Sequence, residues 1–178
     1  MFSSYIKHPT KTSYEGQDQD EAIILLLRAH PITNLSWIFT AVLIFFLPFI
    51  LPDLLLLLGF DLAFLPSDLA TAFLIINYLL VLVIVFEGFL HWYFNVTLVT
   101  SKKVVDIDFD SLLSKKVDLA PLANIEEANS RISGLIATIF HFGDVHIQTA
   151  GAKVSIDILK VPYPSQVADL ILDLSGKT

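Results

Sequence analysis

Leu69-Ala-Thr-Ala-Phe-Leu-Ile-Ile-Asn-Tyr-Leu-Leu-Val-Leu-Val-Ile-Val-Phe-Glu-Gly-Phe-Leu90 decides how this chain is to be read. Its only strongly polar residues are Asn77 and Glu87, and Glu87 lies close to one end. A helix needs about 20 apolar residues to cross a hydrocarbon core about 30 Å thick. Residues 69–90 are therefore predicted to be a transmembrane helix. Working backwards, a second apolar run starts near Leu35 and passes through Trp37, Phe45 and Phe46 to about Leu58. Pro48, Pro52 and Asp53 interrupt its far end. A proline there removes a backbone donor and tends to kink a helix. Two endings stay open: a kinked helix over 35–58, or a helix closing at Leu51 with Leu54 to Leu58 interfacial. No Lys or Arg occurs from Ala29 to Ser101. Two buried helices this apolar would need a far larger soluble protein around them than 178 residues provide.

Charge sets the expected orientation. The connection Gly59 to Asp68 carries Asp61 and Asp68 and no cation, whereas Lys7, Lys11, Arg28, Lys102 and Lys103 flank the pair of helices. The positive-inside bias then puts both flanks, and both termini, in the cytoplasm. Trp37, Trp92 and Tyr93 are expected to anchor the same interface, where amphipathic rings prefer to lie. The expectation is a multi-pass protein of the cell membrane.

Outside these helices the composition is that of a soluble domain. The whole chain is 54% hydrophobic and 16% charged, against about 25% charged for ordinary soluble domains. A net charge of −7 argues against nucleic acid as a partner. With no cysteine, disulfides and thiol chemistry are excluded. The first twenty residues are polar, so no secretory signal is expected.

Beyond Leu90 the hydrophobic period changes from helical to two. In Lys103-Val-Val-Asp-Ile-Asp-Phe-Asp110, Val105, Ile107 and Phe109 alternate with Asp106, Asp108 and Asp110, as in a half-buried antiparallel strand. Asn95 to Thr100 precedes it, Lys115 to Leu119 alternates again, and Asn124 to Ile132 is less regular. Val145 to Thr149 and Val154 to Ile158 flank Ala150-Gly-Ala-Lys153, which reads as a hairpin turn. Gly134 to Phe142 is a short helix or an apolar loop. The chain closes with an amphipathic helix: Ser165 as N-cap, Val167, Leu170, Ile171 and Leu174 as its stripe, Gly176 as its stop. Glu21 to Arg28 is too short to span, so residues 20–30 are predicted to hold the first strand of this domain, after a polar tail over 1–19. The fold class is thus a membrane protein of α+β type. It combines a two-helix transmembrane hairpin (35–58 and 69–90) with a small antiparallel β-barrel, completed by residues 91–178 and capped by the final helix.

The order of elements then becomes specific. Leu27-Arg-Ala-His-Pro31 precedes the apolar helices and Trp92-Tyr-Phe-Asn-Val-Thr-Leu-Val-Thr-Ser-Lys-Lys103 follows them. Leu122-Ala-Asn-Ile-Glu126 and Gly134…Phe142-Gly-Asp-Val-His-Ile-Gln-Thr-Ala-Gly151 complete the series. Over roughly residues 20–175 the chain resembles the bacterial membrane-anchored pleckstrin-homology-like (YdbS-like) family. The resemblance implies a PH-like barrel with a C-terminal helix. It brings no catalytic residues with it.

The sequence carries few residues arranged for chemistry. There is no Gly-Lys-Ser/Thr phosphate loop, His-Glu-x-x-His or Gly-x-Ser-x-Gly. His141 and His146 can approach across Gly143, but two His without a placed carboxylate make a poor metal site. Asp106, Asp108 and Asp110 lack the Gly and closing Glu of a calcium loop and read as a solvated strand face. Neither cofactor nor metal is expected. Lys102, Lys103, Lys115 and Lys116 remain as candidate contacts to anionic headgroups. The expected function is a non-enzymatic, membrane-anchored interaction or scaffolding module, with the bilayer and a protein partner or second copy as partners. The alternative is a lipid or small-ligand binding module in envelope stress or antimicrobial resistance.

Overall fold

A computed structural model describes residues 3–9, 12–60, 66–111, 114–150 and 155–176. Lys11, Asp61 and the Gly151 to Lys153 part of the expected hairpin turn lie outside them. The chain forms two compact units, Met1–Thr33 with His91–Thr178, and Asn34–Leu90.

The second unit holds α1 (Leu35–Leu57), together with most of α2 (Ser67–Phe94). Both helices are long and apolar enough to cross a membrane, and only 6% of each apolar window is buried. α1 continues through Pro48 and Pro52 to Leu57, so of the two endings the longer one is observed. Pro48 cannot donate to the carbonyl of Ile44, four residues back. Asn77 Nδ2 of α2 donates to that carbonyl instead, at 3.0 Å. The one strongly polar residue in the middle of α2 thus fills the gap the proline leaves.

In the first unit, β1 (Tyr5–Lys7), β2 (Ile23–Leu27), β3 (Val96–Thr100), β4 (Lys103–Ser111) and β5 (Ser114–Pro121) form one antiparallel sheet in that order. β6 (Ile125–Arg131), β7 (Phe142–Thr149) and β8 (Ser155–Pro162) form the second sheet. The short α3 (Leu135–Phe140) joins β6 to β7, and α4 (Pro164–Ser175) ends the domain. β1 falls within the segment read as a polar tail. β2 pairs with β3, with Leu26 opposite Leu98, so the apolar helices are inserted between two neighbouring strands of one sheet.

The expected small antiparallel barrel is corrected to two sheets that do not close on each other. Among the described residues no ladder joins β5 to β6. β5 ends on Pro121, which has no N–H, and the 3₁₀ turn Leu122–Asn124 redirects the chain before β6. The core lies between the sheets and α4: the row Leu25, Val99, Val104 and Ala120 packs with Ile147, Ile158 and Ile171. The opposite face of the first sheet is apolar too. There Ile6, Leu26, Leu98, Val105 and Leu119 face one another across all five strands. This is why Val104 and Val105, neighbours on opposite faces, are both buried. Gly143 sits where a Cβ would lie 2.3 Å from the Arg131 carbonyl, and the β7–β8 register shifts beside it. α4 starts with Pro164 at its first turn, so Ser165 is not the cap. Gly176 ends it in the left-handed conformation.

Candidate functional site

Glu21, just before β2, is bonded to four partners. Its side chain is fully excluded from solvent. Thr100 Oγ1 lies 2.5 Å and Tyr14 Oη 2.7 Å from Oε1, while the Asp18 N–H reaches Oε2 at 3.1 Å. Lys103 Nζ completes the set at 3.3 Å. The Thr100 hydroxyl also lies 2.8 Å from the Lys103 carbonyl. It has one proton, and the closer, charged acceptor takes it. Burial pushes the Glu21 carboxyl up, but these bonds outweigh it and hold it below its usual range. The network joins the N-terminal segment, β2 and the β3–β4 turn, and so ties the strand before the apolar helices to the strands after them.

The four candidate lysines lie beside carboxylates. Lys102 lies 2.7 Å from Asp20 and 3.5 Å from Asp18, Lys103 pairs with Glu21, Lys115 is 3.9 Å from Glu15, and Lys116 is 2.6 Å from Asp118. The hydrogen bond with Asp20 pushes Lys102 up and Asp20 down. Any headgroup reaching these ammonium groups competes with acids of the same chain.

Asp106 corrects the expectation of a solvated acidic face. It is buried on the face of β4 that also carries Val104, and Thr97 Oγ1 donates to it at 2.6 Å. Burial pushes its carboxyl up to about 6, partly offset by the Thr97 bond, with Asp108 and Asp118 adding to the rise. The alternating pattern was legible, but which face meets the core was not, because both faces of this sheet carry buried apolar residues.

The residues where the chain leaves and re-enters the domain are fastened to each other. Trp92 Nε1 donates to the Ala29 carbonyl at 2.8 Å. Arg28 Nε donates to the Tyr93 carbonyl at 3.0 Å, and its guanidinium lies 4.8 Å from the Tyr93 ring centre. His91 Nδ1 is 3.1 Å from the Phe109 carbonyl, which can only accept, so that nitrogen carries the proton. Trp37, the third expected anchor, donates to Asn34 at 3.2 Å. Its indole packs where Gly88 leaves room, a Cβ there lying 2.5 Å from the ring. An apolar groove of about 320 Å³ lined by Trp37, Ala41, Phe45 and Val85, among others, runs beside it.

Among the described residues no group of three or more His, Asp or Glu is placed to hold a metal. His141 ends α3 in the left-handed conformation, and His146 lies against Asp157. Sequence reasoning missed the Glu21 network, although an acid opening an apolar strand was a signal that it needed partners.

The family model described as Bacterial PH domain matches residues 31–175, most of the chain. The chain belongs to the bacterial PH domain family. No curated protein and no solved structure matches it. Membership points to an interaction module rather than an enzyme.

Proposed function

We propose that the chain is a non-enzymatic interaction module, held by a two-helix membrane hairpin and displaying its PH domain at the cytoplasmic face of the cell membrane. The observation that carries this reading is the exposure of two helices whose surface is almost wholly apolar. In water, such a surface far exceeds the few hundred Å² of contiguous apolar area that soluble monomers tolerate. The distribution of Lys and Arg supports the orientation. The Asn77 bond to the Ile44 carbonyl supports the membrane-spanning part of the reading, since in hydrocarbon an unpaired carbonyl is costly.

The partner class is a protein or a second copy of this chain, met by the domain, while the bilayer holds the anchor. The alternative, a lipid or small-ligand binder, rests on the apolar groove beside Trp37. Lipid contact by Lys102, Lys103, Lys115 and Lys116 is secondary in this reading, because each has a carboxylate of its own. Fractionation of the variant with all four changed to Gln tests the anchor. It stays in the membrane through high salt and alkaline carbonate if the hairpin holds it. Release by salt alone contradicts the reading.

A further inference from the structure

α3 is amphipathic in the inverted sense. A surface helix normally buries its apolar face, but here Leu135, Ile136, Ile139 and Phe140 are 79, 60, 60 and 47% exposed and Ala137 alone is buried. Positions i, i+1, i+4 and i+5 share one side of a helix, so the four large side chains form a single outward ridge. Thr138 turns its hydroxyl back to the Gly134 carbonyl at 2.9 Å and adds little polarity.

What covers this ridge follows from its neighbours. Phe140 and Phe142 both lie against His30, the latter ring stacked at 5.3 Å between centres. His30 N–H donates to the Lys160 carbonyl at 2.7 Å. His30 immediately precedes Pro31, where the first long apolar helical run begins, and Ala29 beside it holds Trp92 from the last turn of α2. The ridge therefore stands at the end of the domain from which both apolar helices depart. Arg131, at the end of β6 just before α3, and Lys160 of β8, whose carbonyl holds His30, are both exposed and without an ion pair among the described residues.

We propose that α3 is a wedge seated in the headgroup boundary of the bilayer, with Arg131 and Lys160 reaching anionic phosphates at its rim. Short apolar ridges with basic neighbours fit such an interface. The proposal rests on the membrane reading above, and its test separates the two.

The native chain has no cysteine, so single thiols at Ile139, Val83 and Asp169 are labelled with an environment-sensitive dye in the full-length protein. The protein is reconstituted in phosphatidylethanolamine–phosphatidylglycerol nanodiscs containing lipid brominated near the carbonyl end of its chains. The wedge predicts blue-shifted, bromolipid-quenched emission at Ile139, several-fold stronger than at Asp169 on the exposed side of α4. Quenching at Val83 in α2 with none at Ile139 overturns the wedge and leaves the hairpin standing. No quenching at either position overturns both. Blue-shifted but unquenched emission at Ile139 that fades on dilution assigns the ridge to a second copy, and also overturns the proposal.

Discussion

Glu21→Gln is the substitution that asks most of the fold. Glutamine keeps one carbonyl oxygen for Thr100 and Tyr14, but it turns an NH₂ toward two donors, the Asp18 N–H at 3.1 Å and Lys103 Nζ at 3.3 Å. A buried donor left without an acceptor costs about 1–3 kcal/mol. Losing the partner of a fully buried ion pair costs about 3–5 kcal/mol. Lys103 keeps a partly exposed route to water, with 19% of its side chain accessible, so the lower part of these ranges applies. The expected destabilisation at neutral pH is about 2–4 kcal/mol. Urea unfolding of a domain in which Arg28 is joined to Trp92 by a short Gly-Ser linker measures it. The pH dependence gives a second check. Glu21 is held below its usual value in the folded domain, so its stabilisation is present above the ordinary carboxylate range and is lost as the pH falls through the folded value. The gap between native and variant domains therefore narrows in acid. A loss below about 0.5 kcal/mol at pH 7, within the range of an ordinary surface change, refutes the reasoning. So does a gap that acid does not narrow.

Asn77→Leu in the full-length protein leaves the Ile44 carbonyl without its donor, and is expected to destabilise the helix pair by about 0.6–1.7 kcal/mol. Pro48→Ala restores the missing N–H, so unfolding in mixed micelles of the double variant should show little further loss from Asn77→Leu. Asp106→Asn is expected to stabilise the domain. The Asp106 carboxyl is raised from 3.8 to about 6, so its folded form favours the proton and loses stability as pH rises through about 6. The variant gains up to about 3 kcal/mol at pH 8 and nothing at pH 4 by urea titration. In the Arg28–Trp92 joined domain, amide exchange across Ile23–Leu27 should be as slow as in β3, because the two strands pair. Rapid exchange there with β3 protected contradicts the insertion of the apolar helices into one sheet.

The helices and most strands were legible because their periods differ. Leu69 to Leu90 has no alternation and Lys103 to Asp110 has little else. β2 was legible because its apolar run is too short to span and too apolar to be left as a tail. β1 was not, since Tyr5–Lys7 carries no pattern of its own and exists only through pairing with Leu25 to Leu27. Barrel closure was not legible either: it depends on a ladder that Pro121 and the turn after it prevent. The charges of Lys102 and Lys103 were plain, but their partners Asp18, Asp20 and Glu21 lie some eighty positions away and meet them only through the β2–β3 pairing. The apolar content of α3 was visible in the sequence, whereas its direction was not, because Ala137 and not the large side chains faces the core.

The proposed hairpin would leave and rejoin a PH domain on the cytoplasmic side. The most direct test replaces Asp68 or Glu126 by Cys in the native, cysteine-free chain and treats intact cells with a membrane-impermeant maleimide. Labelling at position 68 without permeabilisation, and at 126 only after it, is the expected result. Labelling at 126 in intact cells, or at 68 only after lysis, contradicts it.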